Sequence, residues 1–329
     1  MAATMTPEQL EAQAADRRRD LIRKVAPFGV LLGLYLLVAA FEPNFFRWAS
    51  IRALLEQWPI ILMLASGQML VVMTGRIDLS NASLASLSAM CTALWLGVDG
   101  MPAGLTVFLV ILMATVIGIF QGLLHYHGQV ASFVITLGGL GAWSGMALAI
   151  SGGRSIIESR NTLDFLFDRW IWDIPNGAIF GALIALALGG IMKFTPIGRQ
   201  ILAVGNGQLA AAYSGINVGK VMVVVFGASG FFAGLCGLGI VGWIDAASPS
   251  TADNLLLPAI AAVVIGGTAI TGGLGGIGRT VVGAAIIAVL RVGQDVAGIE
   301  AKYQQVIYGA LVIIAVAATI DRSRLKIVK

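Results

Sequence analysis

Ten apolar runs, most of them about as long as a bilayer core is thick, follow one another from residue 25 to residue 320. A hydrocarbon core of about 30 Å takes about 20 apolar residues of helix at 1.5 Å each. The runs are 25–41, 57–74, 79–97, 103–124, 130–151, 177–194, 221–243, 257–272, 280–297 and 303–320; the first is short and glycines interrupt the eighth. With 58% hydrophobic and 12% charged residues, against about 25% charged in a soluble domain, the chain is not a water-soluble one. The expected fold is an all-α polytopic membrane protein with about ten transmembrane helices. One transmembrane domain, 25–320, lies between an N-terminal segment, 1–24, and a tail, 321–329.

The net charge of +4 is explained by where the charges lie rather than by nucleic acid, since no basic run is interleaved with aromatics. With both termini cytoplasmic, the inner segments collect 14 Lys+Arg and 6 Asp+Glu, and the outer ones 7 Lys+Arg and 11 Asp+Glu. That asymmetry obeys the positive-inside rule. Lys193, Arg199 and Lys220 mark one inner segment, and Arg322, Arg324, Lys326 and Lys329 another. Residues 1–24 read as a surface helix capped by Thr6, with Pro7 and Gln9 in its first turn. Its basic end, Arg17 to Lys24, looks superficially like a twin-arginine export signal, but the nine spans that follow make a cytoplasmic flank the better account. The outer loop 152–176 sets Phe165, Phe167, Trp170 and Trp172 among Asp164, Asp168 and Asp173, a composition for the headgroup level or for a platform under a soluble partner.

Several motifs suggest chemistry that their context denies. Gly273 to Thr280 nearly spells a phosphate-binding loop, yet Arg279 stands where lysine is needed and the preceding segment, Ala259 to Ile270, reads as a membrane helix. Gly227-Ala228-Ser229-Gly230 is similar to the serine motif of intramembrane proteases. The two histidines, His125 and His127, fall earlier, in an expected cytoplasmic loop, so no catalytic pair is expected. No Cys, Asp or Glu adjoins them to complete a metal site. Cys91 and Cys236 sit in apolar runs as packing residues. No cofactor, metal or catalytic residue is expected. Gly118-Ile119-Phe120-Gln121-Gly122 and Gly141-Ala142-Trp143-Ser144-Gly145 are small-xxx-small pairs that let helices approach.

Three segments carry information. Two of them, Met69–Leu84 and Ile260–Gly273, combine an apolar run, a glycine break and small polar side chains. Glycine breaks at matching places in two halves mark a transport pathway. Gly75, Asp78, Ser80, Asn81 and Ser83, with Gly266, Gly267, Thr268 and Thr271, are then candidates to meet a polar solute. An ordinary turn at the cytoplasmic face is the competing account. Asp78 pairs with Arg76 in a simple turn, or lies at membrane depth, where a carboxylate is costly and functional. Arg291 and Asp295, four residues apart, are expected to form an ion pair. The third segment, about 195–220, holds the helix formers Gln208 to Tyr213 with Gly215 as a stop: a short cytoplasmic helix that another subunit could grip.

With these residues in view, the chain resembles the ribose-type permeases (ribose, xylose, arabinose, galactose) of bacterial ABC sugar importers over nearly its whole length. The resemblance is carried by Pro43-Asn44-Phe45-Phe46, by Gly75 through Leu84, by Ile197-Gly198-Arg199, by Ser214-Gly215-Ile216-Asn217-Val218 and by Ala259 through Gly273. It implies a multi-pass permease of the bacterial inner membrane, not itself an enzyme. Its implied partners are a second permease subunit, identical or not, a cytoplasmic ATP-binding subunit and a periplasmic sugar-binding protein. The segment 205–219 would be the coupling helix, with Gly205, Asn206, Leu209, Ala210, Ala211, Ser214 and Gly215 at the ATPase contact. Two departures are plain. Gly205-Asn206-Gly207, Leu209 and Ala212 replace a Gly-Gly-Asn start, an acid and a base, and Arg76 and Asn81 replace glycine and valine. The alternatives are an ABC permease for another small polar solute and an ion-coupled secondary transporter, which would want more buried carboxylates than Asp78 and Asp295.

Overall fold

The computed structural model describes residues 25–158, 162–168 and 170–319; the expected surface helix in 1–24 and the tail 321–329 lie outside them. The order is α1 (Val25–Phe41), α2 (Trp48–Met73), α3 (Asn81–Ala93, extended by a π-helical turn, Leu94–Val98), α4 (Ala103–His127) and α5 (Ser132–Ser151). A loop region follows, with β1 (Ile156–Ile157), α6 (Asp164–Phe167), β2 (Trp170–Ile171) and β3 (Ile174–Pro175). Then come α7 (Asn176–Phe194), α8 (Pro196–Asn206), α9 (Gln208–Tyr213), α10 (Val218–Ile244), β4 (Ala246–Ala247), α11 (Leu256–Ile265), α12 (Ile277–Val296) and α13 (Ala301–Thr319).

Among the described residues, seven helices are long and apolar enough to cross a membrane: α2, α3 with its π turn, α4, α5, α7, α10 and α12. Three shorter apolar helices occupy the remaining expected spans. The protein is an all-α polytopic membrane protein. Helices α2, α3 and α10 form the buried centre, while α4, α5 and α7 turn apolar faces outward, with Phe108, Leu112, Val116, Leu183 and Leu186 exposed. Such faces are stable against lipid, which competes for no hydrogen bonds.

Glycine decides the contact between α4 and α10. On α4 a Cβ at Gly118 would strike the Phe226 carbonyl, and on α10 one at Gly230 would strike the Ala114 carbonyl. The Gly118–Gly122 pair therefore brings two backbones together, as small-residue pairs do in membranes. The Gly141–Gly145 pair does not: nothing lies within 4 Å of either position, so it faces out of the protomer.

The structure corrects four expectations. The eighth run is not a continuous span, because α11 ends at Ile265, and ten residues make a half-helix of about 15 Å. His125 and His127 lie on the last turn of α4 rather than in a loop. Arg291 and Asp295 do not pair; the Asp295 carboxylate accepts instead from Gln304 Nε2 at 2.9 Å. Arg76 and Asp78 also turn to different partners. The half-helix has a counterpart upstream: Ala252 N–H donates to Ser86 Oγ at 3.0 Å, and that hydroxyl donates to Asp253 at 2.7 Å. Ser86 lies twelve residues before Val98, about 18 Å along the helix. The non-helical stretch 248–252, followed by a single 3-10 turn (Asp253–Leu255), thus dips from the loop end of α10 deep into the bundle.

The loop between α5 and α7 is part exposed, part plug. Trp172 is almost fully exposed, whereas Phe167 is buried against Phe180 and fills the room left by Gly239 and Gly242. β1 pairs antiparallel with β4, Ile156 opposite Ala247. Beside them, burial, together with the neighbouring Asp164 and Glu158 carboxylates, pushes the Asp245 carboxyl up to about 6. Asp164 Oδ1 and Asp245 Oδ1 are both enclosed without a hydrogen-bond partner. Because the folded value exceeds the ordinary 3.8, this group favours folding at low pH and loses that contribution as pH rises to about 6.

Two outcomes are expected. Gly230→Val should lower stability by about 3 kcal/mol or more through overpacking, read as a fall in the thermal midpoint of detergent-purified protein. Asp245→Asn should flatten the part of the midpoint's decline that falls between pH 4 and 6, measured by the same melt across a pH series.

Candidate functional site: three chain breaks at one end of the bundle

Helix α2 stops after Met73 because Gly75 takes a positive φ of 75°, with its N–H on the Val72 carbonyl at 2.8 Å. Helix α11 stops where Gly267 does the same at 93°, and Gly272 and Gly273 follow with positive φ. Each break frees backbone groups that would be expensive in a membrane. The structure joins the breaks to one another. Gly273 N–H donates to the Met73 carbonyl at 2.9 Å, and a Cβ on Gly272 would meet Gly75 N at 2.8 Å.

The third segment closes on the same point. Gly205, in the last turn of α8, abuts both the Met73 carbonyl and Gly273 N, leaving no room for a side chain. Asn206 Nδ2 donates to Leu202 O at 2.9 Å and to Gly273 O at 3.3 Å. A second tie runs through Arg76, whose Nη2 donates to Gln208 Oε1 of α9 at 2.5 Å and whose Nη1 donates to Thr74 O at 2.6 Å. Arg76 Nε donates to His125 Nε2 at 3.3 Å while His125 Nδ1 faces the Val130 carbonyl at 2.7 Å. A carbonyl only accepts, so the ring is the neutral Nδ1–H tautomer.

The remaining candidates of the first break form a buried network rather than an open lining. One Asp78 oxygen accepts from Ser80 N–H at 2.9 Å and Ser80 Oγ at 2.7 Å, the other from Ser229 Oγ at 2.7 Å. Ser80 Oγ accepts in turn from Gln121 Nε2 at 2.8 Å. Asn81 Nδ2 donates to Gln68 Oε1 at 3.0 Å, and Ser83 Oγ to Ser80 O at 2.9 Å. All of these side chains are buried. In the second break, Gly266 packs against the Arg279 carbonyl and Gly267 O accepts from Arg279 Nη1 at 3.0 Å. Arg279 of the phosphate-loop lookalike therefore ties a membrane helix to its loop. Thr268 is buried with its hydroxyl unpartnered, and Thr271 is exposed.

On α9 every side chain but Ala211 is exposed, Leu209 and Tyr213 being the large apolar ones, and Ser214 beside them is exposed as well. Ser214 Oγ returns to Ala210 O at 2.9 Å and Gly215, at φ 82°, ends the helix. Ala211, expected on the contact surface, is buried instead.

Some of the site escaped sequence reading. Gln68 and Gln121 are lone amides inside apolar helices, a signal available in the sequence. Ser229 was visible only as a protease-like motif; its partner is a carboxylate 151 positions away. The dip of 248–255 has no hydropathy signature.

A family profile described as "Branched-chain amino acid transport system / permease component" matches residues 50–316. The chain belongs to that permease family. It is a transport component, not an enzyme. The chain is 33% identical over 323 residues to the ribose import permease protein RbsC of Bacillus subtilis, covering 97% of this chain and 99% of the relative. The Haemophilus influenzae RbsC is 32% identical over 295 residues, 88% of this chain and 91% of that one. The D-allose transport system permease protein AlsC of Escherichia coli is 31% identical over 299 residues, 88% and 90% respectively. No solved structure gives a significant match.

Ser229→Ala removes a donor from a buried carboxylate of this permease and should cost about 1–3 kcal/mol. The check is the thermal midpoint, which should fall further for Ser229→Ala than for Ser214→Ala, whose hydroxyl is solvent-exposed.

Proposed function

We propose that the chain is the permease subunit of an ABC importer that carries a monosaccharide across the bacterial inner membrane. In this reading ten spans, both termini inside, form one permease domain over residues 25–320. The carrying observation is the convergence of Met73–Gly75, Gly272–Gly273 and Gly205–Asn206. A cytoplasmic ATP-binding subunit presses on α8 and α9. The motion passes through Gly205, Asn206 and the Arg76–Gln208 bond into the two breaks, where α2 and α11 are already interrupted. Hinges at broken helices absorb backbone rotation at little cost. Gly75, Asp78, Ser80, Asn81 and Ser83 on one side, and Gly266, Gly267, Thr268 and Thr271 on the other, then bound the pathway as it opens.

The ribose and allose permeases among the relatives support a sugar as the solute; in this reading a periplasmic binding protein delivers it and two permease subunits share the pathway. The family description, which names branched-chain amino acids, supports the second reading of another small polar solute. Competition of uptake by D-ribose or D-allose against L-leucine decides between them. Protonophore-sensitive uptake that needs no ATP would point to an ion-driven carrier.

The ATPase contact rests on the exposed Leu209 and Tyr213 rather than on buried Ala211. Leu209→Asp should reduce uptake at least tenfold while the chain inserts and purifies as the wild type does. Wild-type uptake by Leu209→Asp counts against α9 as the coupling helix.

A further inference from the structure

A cavity of 110 Å³ opens among α2, α10 and α12 at the opposite end of the bundle from the three breaks, lined by Gln57, Trp243, Thr251 and Arg291 between Ile60 and Ile240. Four features set it apart from an ordinary packing void. Arg291 is five residues from the end of a membrane helix, and it forms no ion pair or hydrogen bond with a described residue. A guanidinium in a span must face a wet cavity or a partner, and Asp295 one turn away is occupied by Gln304. Gln57 Oε1 is enclosed without a donor. Thr251 belongs to the non-helical stretch that dips into the bundle, and irregular backbone at that depth persists only against protein or water. Trp243 places an indole on the cavity wall.

We propose that this cavity is a sugar-contact site on the outer side of the pathway, a reading that rests on the importer function above. The guanidinium fork of Arg291 donates to two adjacent ring hydroxyls, which a planar pair of N–H donors matches and a single ammonium does not. Gln57 Oε1 accepts from one of the same hydroxyls, supplying the donor it lacks. The Trp243 ring offers an apolar face to the C–H side of the sugar, and Thr251 closes the rim. No carboxylate lines the cavity, so a neutral polyol, with hydroxyls that donate and accept, satisfies both the guanidinium and the amide oxygen. At about 30 Å³ per water, the volume holds three or four waters. The site therefore takes the leading edge of a sugar that enters from the outer face.

The test uses the complete importer, with its ATP-binding subunit and binding protein, in proteoliposomes, with D-ribose and D-allose as probes. For the sugar that the wild type carries, Arg291→Gln should raise KM at least tenfold while the subunits still co-purify and hydrolyse ATP. Gln57→Ala should raise it several-fold, and Arg291→Lys should behave like Arg291→Gln because it keeps the charge and loses the fork. Uptake by Arg291→Gln within twofold of the wild type overturns the site. So does wild-type behaviour of Arg291→Lys, which reduces the residue to a charge, and so does failure of Arg291→Gln to co-purify, which makes it an assembly contact. A wild-type importer that moves neither sugar sinks the parent reading instead.

Discussion

Every backbone donor and acceptor freed inside a membrane has to find a protein partner or water, and this chain frees many of them at the ends of α2 and α11. The hydrogen bond from Gly273 N–H to the Met73 carbonyl, 2.9 Å long, ties one broken end to the other. Gly75, Gly272 and Gly205 follow from it, since each stands where a side chain would part the two backbones. The breaks are stable only as a set. A movement of α8 that displaces Gly205 therefore cannot leave the other two segments where they are.

The polar network beneath them is the second constraint. Three donors on two oxygens satisfy Asp78, so a carboxylate that would be costly alone becomes a tie between the α2–α3 turn and α10. Gln121 extends the tie to α4 through Ser80. The first break is thus held to three neighbouring helices by its side chains and to α8 and α11 by its backbone. The loop has a defined shape without being helical, as the proposed hinge requires.

Much of this was legible from residue order. The spans come from hydropathy, and the Gly118–Gly122 contact from small-residue spacing. The stop at Gly215 comes from the freedom of glycine at positive φ. The three informative segments also stood out, as apolar runs carrying glycine and small polar residues. Their meeting did not, because it depends on pairs such as Asn206 and Gly273, 67 positions apart. The expected Arg291–Asp295 pair, and the paired-turn alternative for Arg76 and Asp78, did not form for one reason. Sequence neighbours of opposite charge suggest a local pair, but Asp78 is buried among hydroxyl donors, and Asp295 accepts from Gln304 while Arg291 lines a cavity. Hydropathy averaged α11 and the loop after it into one span and missed the dip before it, since a window sees composition and not direction. Ala211 fell on the wrong side of α9 because six residues of helix formers carry no apolar stripe to orient them.

The account requires α8, α9 and the two glycine breaks to lie on the cytoplasmic side. A cysteine placed at Leu209, which is exposed, tests this directly, because the native Cys91 and Cys236 are 6% and 0% exposed and contribute little background. With a membrane-impermeant maleimide, Leu209→Cys should label in inverted vesicles and stay unlabelled in intact spheroplasts. Labelling in spheroplasts with none in inverted vesicles would put the coupling surface on the outside and contradict the account.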